Sequence, residues 1–151
     1  MDRSRKYVQM CTLAQEIQRD WVPGHGDFFV GRQGRVEAWV EKMQEERNVY
    51  QGVDLSFADG LPRTTRYIWL PRLDQLIELA QKPGIRYEIM TQSFFDWTKR
   101  SYPHHSQNPR SVFDSLEKIW LAFIMHKDWG KIWAGQNWEL LTTGSRTEKN
   151  E

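Results

Sequence analysis

Polar and apolar positions along this chain follow two rhythms, one of three to four residues and one of two, and the changes between them mark out the elements. Tyr7, Met10, Cys11, Ala14, Ile17 and Trp21 recur at steps of three and four, while Lys6, Gln9, Gln15, Glu16 and Arg19 fall on the other side. That spacing predicts an amphipathic helix of about four turns. Pro23, Gly24 and Gly26 stop it and make PGHGD a turn. From Asp27 to Leu70 the period shortens. DFFVGR, RVEAWVEKM (with Val36, Ala38 and Val40 on one side), VDLSF and TTRYIWL predict a small, mostly antiparallel sheet, with GRQG at 31–34 as a hairpin turn. Residues 36–47 stay open between strand and helix, because VEAWVEKMQEER also has good helix propensity. The stretch 42–64 shows little pattern beyond a DGLP turn at 59–62.

At RYIWLPRLDQLIELAQ the rhythm changes within one segment. Pro71 suits the first helical position, where its missing N–H has no partner to lose, and Leu73, Leu76, Ile77 and Ala80 then form an apolar face until Pro83-Gly84. YEIMTQSFFDWTK is expected to be a helix ending near Tyr102-Pro103, and SYPHHSQNPRS an exposed loop. Ser111 followed by Asp114 resembles a capping box opening the next helix. In SLEKIWLAFIMHKDWG one face carries Leu116, Ile119, Trp120, Phe123 and Lys127, and Leu121, Ala122, Ile124 and Met125 fill others. Such a helix is nearly surrounded by protein and is the expected spine of the core. Gly130 ends it, KIWAGQNWELL reads as a closing hairpin, and the polar residues 142–151 read as a disordered tail. The expectation is one α+β domain over 1–141, a small antiparallel sheet packed with three or four helices.

Composition narrows the function classes. The length, 151 residues, fits one domain. With 21 Lys and Arg against 20 Asp and Glu there is no chain-wide basic field for nucleic acid or an anionic membrane. Cys11 stands alone and MDRSRK is followed by no apolar signal segment, so an intracellular, cytoplasmic setting is expected. The longest apolar run, Ile119 to Met125, is far below the roughly 20 residues that cross a bilayer, so no membrane partner is expected. Eight Trp, seven Phe and five Tyr are the oddity. They serve either a core of few, large side chains or an aromatic surface for a ligand or partner, and apolar periodicity weighs towards the core.

No assembled chemistry accompanies this pattern. His25, His104, His105 and His126 lack partners at metal-ligand spacing, no G-x-S-x-G frames a serine, and GHGD and GRQG lack the lysine and helix of a phosphate loop. No catalytic residue, metal or cofactor is therefore assigned; a cluster of His25, Asp27 and His104 would revive a hydrolase. Two binding regions are candidates. At the WLPR junction a strand feeds a helix N-terminus, with Trp69, Arg72, Asp74 and Gln75 placed for a carboxylate or phosphate, unless Asp74 already satisfies the dipole. Near the C-terminus Trp129, Lys131, Trp133 and Trp138 form an aromatic and basic set suited to stacking, with nucleic acid as a less favoured partner and core packing as the plainer alternative.

WLPRLDQLIELA, followed some 45 residues later by SLEKIWLAFIMHKDWGKIWAGQNWEL, resembles a group of small uncharacterised proteins encoded in bacteriophages and prophages of Firmicutes. Their pattern is W-L-P-R-x-D-Q-L, then W-L-A-F-x-M, then G-K-x-W-x-G-x-x-W. It falls here on Trp69 to Arg72 and Asp74 to Leu76, then Trp120 to Phe123 and Met125, then Gly130, Lys131, Trp133, Gly135 and Trp138. YVQMCTLAQEIQRDWVPGHGDFFV is similar to the helix-to-GD opening of the same group, whereas the segment containing YPHH departs from it. The blocks cover a little over a third of the chain. The resemblance implies a phage or prophage origin and carries over no reaction. The leading expectation is a non-enzymatic accessory protein that binds a host or phage macromolecule, most simply a protein. The alternative is a small-molecule or nucleotide binder with an anion pocket at the WLPR junction.

Overall fold

A computed structural model describes residues 1–31, 34–44, 47–54, 67–101 and 113–141. The DGLP turn, the YPHH loop, Ser111 and the 142–151 tail lie outside the described residues. The elements run α1 (Arg5–Leu13), α2 (Gln15–Arg19), β1 (Phe28–Val30), β2 (Val36–Gln44), β3 (Arg47–Asp54), β4 (Ile68–Leu70), α3 (Leu73–Ala80), α4 (Tyr87–Ser101), α5 (Leu116–Trp129), β5 (Lys131–Trp133) and β6 (Trp138–Leu140). This is an α+β fold with a four-stranded sheet in the order β3-β2-β1-β4 and a separate β5-β6 hairpin, all pairings antiparallel.

The open question over 36–47 resolves as strand for Val36–Gln44. Its helix propensity is overridden by ladders on both sides, to β1 from Val36 to Ala38 and to β3 from Glu37 to Gln44. The sheet has two apolar faces. Val30, Val36, Ile68 and Leu70 join the helix-packed core. Phe29 and Trp69, cross-strand partners one residue out of step, turn to the other face and meet Trp21, Trp39 and Tyr67 there.

α5 is the spine of the core: every residue from Lys118 to Met125 is buried. Ser115 accepts from the Lys118 N–H as its N-cap, and Gly130 closes it in the left-handed conformation, φ 61°. The capping residue is thus Ser115, four positions beyond the expected Ser111. Leu116 faces out and Lys118 in. The Lys118 ammonium is 1% exposed, and its contacts with Asp2 at 3.0 Å and with Asp114 compensate a burial that would otherwise be costly. Burial pulls its pKa down, but those two carboxylates outweigh it and the net shift is upward.

The expected four-turn first helix is two helices. Ala14, fully buried, takes ψ 68° and breaks it. Ile17 still reaches the core, and the Gln18 amide reaches β4, donating to Trp69 O at 3.0 Å and accepting from Trp69 N at 2.8 Å. A side chain here completes the ladder of an edge strand, one of the ways sheets protect their edges.

Pro71 also differs from expectation. Arg72 is extended (ψ 166°) and caps α3, so Pro71 precedes the cap, and its carbonyl accepts from the buried Tyr7 hydroxyl at 2.6 Å. Arginine has no acceptor to offer, so only half of a capping box forms: Gln75 Oε1 accepts from the Arg72 N–H at 3.0 Å.

Candidate ligand-binding pocket

The turn after α2 builds the centre of the site. Gly26 adopts φ 81°, a conformation that favours glycine, and the chain doubles back to set the Asp27 carboxylate beneath Trp21. Asp27 Oδ2 accepts from Trp21 Nε1 and from the Gly24 N–H, both at 2.9 Å, and Oδ1 accepts from Gln75 Nε2 at 2.5 Å. Arg72 Nη1 stands 3.9 Å from Oδ1 and donates to Gly26 O at 2.7 Å. One buried carboxylate thereby ties together the end of α2, the turn, β1 and the start of α3. Its charge is matched by donors on both oxygens, as a buried carboxylate requires.

Beside this hub lies a cavity of about 460 Å³. Trp21 and Trp69 form one wall, their rings parallel within 4° at 5.9 Å, and Trp129 at the end of α5 lines it too. Its charged lining groups are mostly acidic: Glu16, Asp20, Asp27, Glu78 and Asp128, with Lys82 the basic residue among the described lining, and Ile17, Val22, Leu79 and Ile124 add apolar surface. Three of these side chains are largely withdrawn from water, Asp27 to 8%, Asp128 to 14% and Glu16 to 19% exposure. Each has a cation of the chain nearby: Arg72, Lys82 at 2.7 Å, and Lys131 respectively. Glu16 Oε2 is nonetheless buried without a hydrogen-bond partner among the described residues.

The candidates drawn from the sequence divide sharply. Trp69 and Gln75 line the cavity. Arg72 and Asp74 pair with each other: Arg72 Nε and Nη2 donate to the Asp74 carboxylate at 3.1 and 3.0 Å, and that bonding holds the Asp74 pKa below its ordinary value. Asp74 stands in the first turn of α3, where its charge complements the helix dipole, and the neighbouring cavity carries further carboxylates. Of the C-terminal set, Trp129 lines the cavity and Lys131 pairs with Glu16. Trp133 and Trp138 form no aromatic surface. Both are 7% exposed and pack edge to face at 5.0 Å, and Trp138 Nε1 donates to Met10 O at 3.0 Å, docking the β5-β6 hairpin on α1.

Sequence reasoning missed Glu16, Asp20, Trp21, Glu78 and Asp128 as site residues. A local signal existed for three of them. Asp20, Glu78 and Asp128 sit at the C-terminal ends of α2, α3 and α5, where the helix dipole disfavours negative charge. Local rules broken in one place are a mark of a functional region.

Cys11 gives no alternative chemistry: it is fully buried, and burial pushes its thiol well above the ordinary range. Among the described residues no group of three or more His, Cys, Asp or Glu is placed to hold a metal ion, and no helix is long and apolar enough to cross a membrane. His104, which with His25 and Asp27 would have suggested a hydrolase, lies outside the described residues. Comparisons with protein-family models, curated proteins and solved structures find no match for this chain.

Proposed function

We propose that this protein is a non-catalytic binding protein that holds a small ligand, or one exposed group of a larger partner, in the cavity between Trp21, Trp69 and Trp129. The observation that carries the proposal is the division of labour around Asp27. Its oxygens are committed to Trp21, Gly24 and Gln75, which makes it a support for the cavity wall and not a reacting group. A cavity of about 460 Å³ falls within the range of small-molecule sites, with aromatic walls and a few convergent polar groups. The resemblance of the WLPR, WLAF and GK-W blocks to phage and prophage proteins suggests the setting, an accessory protein acting in the cytoplasm of a bacterial host. The pocket shifts weight from the macromolecular partner expected first towards the ligand reading.

Native mass spectrometry of the protein as purified, compared with its denatured mass, tests this directly. A retained mass lost on denaturation, or saturable change in tryptophan emission with some member of an amine, nucleotide and sugar panel, is the expected result. A clean protein mass together with no response to any class would overturn the reading.

A further inference from the structure

If the cavity is a ligand site, its lining also defines the charge of the ligand, and the inference rests on that function. We propose that the pocket selects an organic cation, an alkylammonium or guanidinium group, in place of the anion that the WLPR junction suggests from sequence. Three independent features of the cavity favour positive charge. The first is its acid excess. Five carboxylates line it; Glu16, Asp20, Asp27 and Asp128 each have a cation of the chain nearby (Lys131, Arg19, Arg72 and Lys82), and Glu78 has no ion-pair partner among the described residues. Glu78 stands at the cavity with its side chain exposed.

The second is backbone polarity. The last turns of α3 (Glu78, Leu79) and α5 (Asp128, Trp129) both border the cavity. Helix C-termini carry partial negative charge, so both dipoles reinforce the carboxylates. A group entering here meets two helix ends that prefer a cation.

The third is the wall. Trp21, Trp69 and Trp129 line it, and an indole face is the best aromatic partner for a cation within about 6 Å of the ring. A guanidinium lies flat against such a face while its N–H groups reach a carboxylate, a geometry that an ammonium matches with fewer directed bonds. Glu16 supplies a further acceptor, since its buried Oε2 lacks a partner among the described residues. An unsatisfied buried carboxylate oxygen is an uncommon feature that calls for a donor.

The same chemistry could arrive as a free small amine or as the basic side chain of a polypeptide. Isothermal titration calorimetry separates these with four probes: spermidine, methylguanidinium, an acetyl-Arg-amide and AMP. The expected result is saturable binding of at least one cationic probe and none of AMP, with affinity falling as salt rises. Preference for acetyl-Arg-amide over spermidine and methylguanidinium would assign the source to a polypeptide side chain, and the reverse to a free amine. Glu78→Gln, a surface change, weakens the bound cation about threefold, and Trp129→Ala weakens it about tenfold. Binding of AMP without any cation would overturn the charge preference and leave the pocket's binding role intact. No saturable binding by any probe of any charge would overturn both. Equal affinity in wild type and Glu78→Gln, with circular dichroism unchanged, would contradict selection by the carboxylates.

Discussion

Two aromatic clusters of similar size do different things in this molecule. On the helix side Phe94, Trp97, Trp120 and Phe123 close on one another, Phe94 and Trp120 stacked at 4.0 Å and 3°, and each is 7% exposed or less. On the sheet side Trp21, Phe29, Trp39, Tyr67 and Trp69 form a second set, with Tyr67 well exposed and a buried carboxylate bonded to Trp21. The closed cluster excludes water and its value is packing. The open one spends aromatic area on the wall of a cavity, held in place by polar bonds. The same residue types thus build a closed core in one place and the wall of a cavity around a polar hub in the other.

The largest effect should come from emptying the closed cluster. Phe123→Ala is expected to destabilise by about 4 kcal/mol, since a buried aromatic is replaced by a cavity that its packed neighbours cannot fill. Urea unfolding measures it, and a loss below about 1 kcal/mol would deny that this cluster is the packed core. Asp27→Ala, at the centre of the open cluster, should cost about 2 to 3 kcal/mol by leaving Trp21 Nε1, the Gly24 N–H and Gln75 Nε2 without their acceptor. It should also abolish ligand binding. Stability lost with binding intact would mean that the hub does not shape the cavity.

A subtler contrast is in pH. His126 packs against Trp97 at 5.8 Å on the closed side, and burial lowers its pKa from 6.5. The folded state therefore resists a proton that the unfolded chain accepts. Stability from this group is whole above about pH 6.5 and declines as pH falls through the interval down to the lowered folded value. Unfolding free energies of wild type and His126→Gln should run parallel above that interval, and wild type should lose stability relative to the variant as pH falls through it; a difference that stays constant across the interval would contradict the shift. The smallest effect belongs to Glu78→Gln, within about 0.5 kcal/mol in stability, because its side chain is exposed. Its consequence should appear in binding alone.

How much of this was legible in the sequence depended on how local each feature is. α5 announces itself through the apolar run from Ile119 to Met125 and through Gly130, whose φ of 61° is what a helix stop demands. The closing hairpin was legible from two tryptophans around a turn, and their burial was the plainer of two readings; what the sequence did not show is the partner, α1 presenting Met10 O. Pro71 fits a helix's first position by local rules, and the structure moves it one place before the cap because Tyr7 binds its carbonyl. β2 was ambiguous for the same reason: its partners lie elsewhere in the chain. The hub is the least local of all, since Asp27 gathers donors from positions 21, 24 and 75. No spacing rule reports such a convergence, although acids at helix C-termini hinted at its surroundings.

The most direct test of the contrast uses the eight tryptophans as reporters. In a ¹⁵N-edited NMR spectrum of the indole N–H groups, each assigned by Trp→Phe substitution, methylguanidinium is titrated into the protein. Progressive shifts are expected for Trp21, Trp69 and Trp129, with fixed positions for Trp97, Trp120, Trp133 and Trp138. Shifts centred on Trp97 and Trp120, or no shift at any indole, would contradict the division into a closed core cluster and an open binding wall.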